Sequence, residues 1–141
     1  MAHIFLSYSR SDRDIAVDLI HHLELAGVAV WSDLDIELGA DWSYQVNQAL
    51  VAAAAVVVLA SSRSITSVRV TYEWSTALAY SIKVIPVVTA GAKFEHLPSP
   101  LSAAHGLDLD ADRDEALDKL ASTLISLLAL PRSRPDLPTV A

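Results

Sequence analysis

Few side chains in this sequence are placed to do chemistry, and the clearest of them is an acid. Glu73 follows a continuous apolar block, Val56-Val57-Val58-Leu59, and a polar break, Ala60-Ser61-Ser62-Arg63-Ser64. Such a block reads as a strand buried on both faces of a sheet. In open parallel sheets ligands bind beyond the carboxyl ends of the strands, so the chain reaches that edge just before Glu73. Spacing alone favours a solvated acid near a helix N-terminus, where the macrodipole stabilises it by a few tenths of a kcal/mol. A second set of acids, Asp33, Asp35 and Glu37 before Gly39, reads most simply as a solvated loop.

Other chemistries fail on residue type or spacing. His21 and His22 are adjacent and point about a third of a turn apart on a helix, too divergent to share a metal. A phosphoacceptor site would need an aspartate at the end of the third strand and acids after the first, where Ser61 and Ser7-Tyr8-Ser9 stand instead. The four glycines, Gly27, Gly39, Gly91 and Gly106, are too scattered for a dinucleotide fingerprint, and neither a Gly-x-Ser-x-Gly elbow nor a Gly-Lys-Ser/Thr phosphate loop occurs. With no cysteine among 141 residues, disulfides and thiolate metal sites are excluded and a reducing compartment fits. A net charge of −7 argues against nucleic acid or anionic membrane as partner. No apolar run approaches the roughly 18 residues of a membrane span, and residues 1–6 do not form a secretion signal. The expected location is the cytoplasm.

The elements that must position Glu73 alternate between strand and helix. His3 to Tyr8 reads as a first strand, and Ser11 or Asp12 as the cap of a helix with Ile15, Leu19, Leu23 and Ala26 inward, stopped by Gly27. Val28 to Trp31 is a short second strand. Asp41 is a plausible cap for a helix with Trp42, Val46, Ala49, Leu50 and Ala53 on one side. After the central strand, Val70, Trp74, Ala77 and Leu78 share a helix face, with Glu73 on its rim. Val84 to Val88 is a fourth strand, whose Pro86 lacks a ladder donor and points to a strand end or an irregular pairing. Residues 89–105 read as loop with at most one short helix, Leu107 to Leu109 as an edge strand, and a last helix runs from about Asp112 with Leu117, Leu120 and Leu124 inward. Trp31, Trp42 and Trp74 recur on apolar faces and from pattern alone read as core.

Strands alternating with helices predict an α/β, flavodoxin-like three-layer fold: a central parallel sheet of about five strands with helices on both faces. That order sets the first and third strands side by side, so Tyr8-Ser9-Arg10 and Ser61-Ser62 should emerge together at the switch point. The expected domain covers 1–130. Residues 131–141, with three prolines and two arginines, read as a Pro-rich linker or tail, and hint at a longer parent chain with a C-terminal sensor.

Taken in order, His3-Ile4-Phe5-Leu6-Ser7-Tyr8-Ser9-Arg10-Ser11-Asp12, Val30-Trp31-Ser32-Asp33 with Gly39 and Trp42, Val57-Val58-Leu59-Ala60-Ser61-Ser62, Glu73 with Ala77-Leu78, and Lys83-Val84-Ile85-Pro86-Val87 together resemble the TIR domain family. The resemblance covers roughly residues 2–128 and looks like bacterial members, which implies a role in anti-phage immunity. Family members are either scaffolds that only assemble or enzymes that cleave NAD at the nicotinamide glycosidic bond. In the enzymes a glutamate on the helix after the third strand is catalytic, and Glu73 falls there. The resemblance further implies that Tyr8, Ser9, Arg10, Trp42 and Tyr72 line the nucleotide pocket. Asp33, Leu34 and Glu37 belong to the loop known in the family as the BB loop. Arg69 departs from the pattern, since many members carry tryptophan four residues before the glutamate. What the resemblance implies is NAD as substrate without a cofactor or metal, release of nicotinamide as hydrolase or cyclase, and activation by self-association. The alternative is a non-catalytic scaffold.

Overall fold

A computed structural model describes residues 2–33, 39 and 42–129 of the chain. The apolar blocks become five strands: β1 His3–Ser7, β2 Val30–Trp31, β3 Ala53–Ala60, β4 Lys83–Val88 and β5 Leu107–Asp108. Between and after them run α1 Arg13–Leu25, α2 Trp42–Ala52, α3 Val68–Ala79 and α4 Arg113–Ala129. Every pairing is parallel and the strand order is β2-β1-β3-β4-β5. This is the flavodoxin-like order, with β1 and β3 adjacent and a switch point at their carboxyl ends.

The central position of β3 follows from its composition. Ala55, Val57 and Leu59 pack with Leu19 and Leu23 of α1 and Leu117, Leu120 and Leu124 of α4. Val56, Val58 and Ala60 pack with Val46 and Leu50 of α2 and Val70, Trp74 and Ala77 of α3. Strand residues alternate between faces, so an all-apolar strand fits only where both faces are covered. Burying each Val or Leu fully contributes about 1.5–3 kcal/mol. Phe5 of β1 stacks on Trp31 at 5.1 Å between ring centroids, anchoring the two-residue β2.

Four expectations are corrected. Asp12 occupies the N-cap position of α1 but makes no capping bond with its side chain; its carboxylate is engaged elsewhere, as described below. Leu78 is exposed while the rest of its expected face is buried, and Glu73 is buried at 2% exposure instead of sitting on a rim. Pro86 lies mid-strand in regular register with Val58. The β5 pairing begins only at Val87, and a Cβ on Gly106 would collide with the Pro86 carbonyl oxygen. Residues 89–105 hold two short 3-10 turns, Phe94–His96 and Leu101–Ala103, and no α-helix. Among the described residues no helix is long and apolar enough to cross a membrane.

Candidate functional site

The site grows from one interruption in β1. Ile4, Leu6 and Tyr8 belong to the α1/α4 core, and Phe5 to the α2/α3 core. Period-two alternation sends Ser7 to the same side as Phe5, where an apolar residue would ordinarily meet α3. Ser7 is fully buried and its hydroxyl donates to Glu73 Oε1 at 2.6 Å. Helix α3 presents Glu73 there because Ser67 caps its first turn, accepting from the Val70 amide at 3.2 Å, and because Val70, Trp74 and Ala77 lock the helix onto β3 and β4.

Glu73 is a buried acid with a hydroxyl, and among the described residues no cation, bonded to it. Its carboxyl is pushed up from 4.5 to about 7, chiefly by burial. The Ser7 hydrogen bond and the Arg69 charge pull it down, and the charge of Asp33 adds to the rise. Arg69 is one turn away on the same helix, close enough to pair with Glu73, but its guanidinium is committed elsewhere. Nη1 bonds Asp33 Oδ2 and Nη2 donates to the Tyr8 carbonyl oxygen at 2.6 Å. The same guanidinium lies 5.9 Å from the centre of the Tyr8 ring, a cation–π distance. Burial and the neighbouring Asp33 hold the Tyr8 phenol well above its usual range. Asp33 Oδ1 is buried without a hydrogen-bond partner among the described residues.

A second buried acid stands nearby at the switch point. Asp12 is 1% exposed; its carboxylate accepts from the Ser61 hydroxyl and from Arg63, whose Nε donates at 2.9 Å. Ser61 also takes bonds from the amides of Arg63 and Ser64. The loops after β1 and β3, expected to emerge together, are therefore clamped to each other.

Two clefts are lined by residues expected at the site. One, of about 230 Å³, is lined among the described residues by Tyr8, Arg10, Arg13 and Asp33. The other, about 520 Å³ and mostly apolar, is lined by Trp42, Ser43, Val68, Arg69 and Tyr72. The structure thus brings Tyr8, Arg10 and Asp33 to one cleft and Trp42 and Tyr72 to the other. Tyr72 is tethered through its hydroxyl to Asn47 at 2.7 Å, and Trp42 also packs on the α2/α3 core. Ser9 caps the turn at Arg10–Asp12 and lines neither cleft. Leu34 and Glu37 lie outside the described residues. Among the described residues no group of His, Asp and Glu could hold a metal ion.

From sequence, Ser7 and Arg63 have no assigned role, Asp12 reads as a cap, and the bonding of Arg69 is missed. For Ser7 a signal existed: a hydroxyl at an inward position of an otherwise apolar strand has to find a buried partner.

A family model described as TIR domain matches residues 4–121. No curated protein matches the chain. Among solved structures, the chain is similar to the TIR domain of the Toll-related receptor TRR-2 from Hydra magnipapillata, with a TM-score of 0.77 and 18% identity over 89% of this chain and 99% of that one. It is similar to a TIR-STING receptor from C. gigas, with a TM-score of 0.70 and 21% identity over 93% of this chain and 41% of the receptor. The TIR domains of the Roq1 resistosome, which recognises the pathogen effector XopQ, match with a TM-score of 0.67 and 15% identity over 89% of this chain and 98% of that one. At these identities the likeness is one of fold.

Proposed function

The chain belongs to the TIR domain family, and on that premise we propose that it cleaves NAD at the bond between nicotinamide and ribose. The observation that carries the reading is Glu73, a carboxyl 2% exposed at the ligand edge of the sheet with only a hydroxyl bonded to it among the described residues. Breaking the C1′–N bond sends the bonding electron pair to the pyridinium, so nicotinamide leaves neutral and needs no general acid, unlike an ordinary glycoside with its two carboxylates. Positive charge develops on the ribose instead. The Glu73 carboxylate, held by Ser7, would bind the ribose hydroxyls and stabilise that charge as a preorganised group. Water then attacks C1′ to give ADP-ribose and a proton, or a nucleophile of the same nucleotide attacks to give a cyclic isomer. Arg10 suits the pyrophosphate, and Tyr8, Trp42 and Tyr72 offer aromatic faces for the rings. NAD is substrate here, and the reaction as written needs no cofactor.

Activation by self-association belongs to the same proposal, as does a role as effector in bacterial anti-phage immunity. Glu73 is almost wholly buried, so a ribose reaches its carboxyl only after a rearrangement, which supports a resting state. That observation equally favours a second reading, a scaffold whose Glu73 never meets substrate. Incubating the protein with NAD over a range of protein concentrations, and reading nicotinamide by chromatography, separates the two. The enzyme releases nicotinamide with a specific activity that climbs with concentration; the scaffold releases none at any concentration.

A further inference from the structure

The ion pair between Arg69 and Asp33 joins residues that face different clefts. Asp33 lines the polar cleft with Tyr8, Arg10 and Arg13, and Arg69 lines the apolar one with Trp42 and Tyr72. Because the two side chains are bonded to each other, the linings of the two clefts meet at this pair, which we read as a wall. The wall is well buried, with side-chain exposures of 20% for Arg69 and 11% for Asp33. It is braced by the second Arg69 bond, to the Tyr8 carbonyl, so one guanidinium ties the ends of β1 and β2 to α3. The polar cleft, at about 230 Å³, falls below the roughly 300–1,000 Å³ usual for small-molecule sites.

We propose that Arg69 is a positioning residue that latches the site shut: while it bridges Asp33 and the Tyr8 carbonyl the clefts stay separate, and when the bridge parts they join into one two-lobed site over Glu73. The joined site has arginines in one lobe for a diphosphate and aromatic faces in the other for a ring, the shape of a dinucleotide lying across the wall. Its Asp33 Oδ1, without a hydrogen-bond partner among the described residues, becomes reachable by a ligand hydroxyl. The inference rests on the NAD-cleaving reading for its catalytic consequence, but the latch itself is a structural claim.

The test uses Arg69→Lys, which keeps the charge and loses the rigid fork that makes both bonds. Arg69→Gln alone would leave Asp33 buried without a cation, so the second variant is Asp33→Asn with Arg69→Gln. Amide hydrogen exchange should quicken about tenfold or more at residues 8–10 and 31–33 in both variants, while Val57 in β3 stays protected. Nicotinamide release by Arg69→Lys should rise by about tenfold at a fixed protein concentration. Unchanged local exchange in a folded variant overturns the latch. Faster exchange with unchanged or lower release, in a protein whose parent cleaves NAD, also overturns it and leaves the pair a structural tie. If neither parent nor variant releases nicotinamide, the NAD-cleaving reading fails and the latch is judged on ADP binding by tryptophan fluorescence: tighter binding to Arg69→Lys supports it, and equal binding overturns it.

Discussion

Asp12 and Glu73 are acids of equal burial, 1% and 2% exposed, set near the same switch point, yet their surroundings differ. Asp12 receives a guanidinium and a hydroxyl, which together satisfy a buried charge. Among the described residues Glu73 receives a hydroxyl alone, although a guanidinium is available one helical turn away and is spent on Asp33 and the Tyr8 carbonyl. A matched counter-ion makes the first acid a clamp between two loops. Its absence leaves the second an acid near neutrality, the condition suited to a group that must meet a charge it does not yet hold.

Breaking each side of the comparison gives different outcomes. The largest effect is expected from Glu73→Gln, which should lower nicotinamide release by about 100-fold or more while its thermal melt is no lower than the parent's; full activity in the folded variant would show that Glu73 is not the catalytic group.

The pH dependence of stability should distinguish the same pair. Folding raises the Glu73 carboxyl from 4.5 to about 7, so the folded state holds a proton that the unfolded chain has released between those values. The stability this gives is fully present below pH 4.5 and is lost as pH rises through 7. Relative to Glu73→Gln, the parent should therefore lose on the order of 3 kcal/mol between pH 4.5 and 8 in denaturant titrations, and its activity should climb through the same upper limb as the carboxylate forms. A constant difference between the two proteins would mean that Glu73 titrates normally.

Arg63→Ala strips Asp12 of its counter-ion and should cost about 2 kcal/mol, discounted from the buried-pair range because Arg63 is half exposed. Nicotinamide release per folded molecule should stay near the parent's, and a variant as stable as the parent would refute the clamp. The smallest effect belongs to Ser7→Ala, about 1 kcal/mol of stability. It removes a bond that lowers the Glu73 titration, so the pH–activity limb should move upward; an unmoved limb would show that the hydroxyl does not hold the carboxylate.

Much of this arrangement is legible in the chain because it rests on long-period patterns. The block Val56 to Leu59 dictated a strand covered on both faces, and the strand–helix alternation dictated the parallel order that places Ser61 beside the end of β1. What escaped depends on which partner a side chain chooses. Asp12 reads as a cap because caps are local, and only the packed loops supply Ser61 and Arg63 as better partners. Arg69 stood out as a departure from a family pattern, but its bonds reach back 36 and 61 residues, and no spacing rule encodes such contacts. Pro86 signalled a strand end or an irregular pairing while sitting mid-strand in regular register, because its neighbour β5 is too short to need a donor from it.

That short neighbour decides how the sheet meets other chains. On its β5 side, β4 is paired among the described residues at Val87 and Val88 alone, which leaves residues 83–86 without ladder partners there, in the position where an uncovered sheet edge would template strand addition. The border carries Lys83, whose charge is exposed, and Pro86, which has no amide hydrogen to lend an incoming strand. Gly106 seats itself against Pro86 so closely that any side chain there would meet the Pro86 ring, at 2.9 Å from Cγ, and Phe94, at 2.8 Å from Cε1. A bulkier residue at 106 would lift β5 away and uncover Val87 and Val88, converting a quiet border into an adhesive one. The cover over this border thus depends on the missing side chain of one glycine.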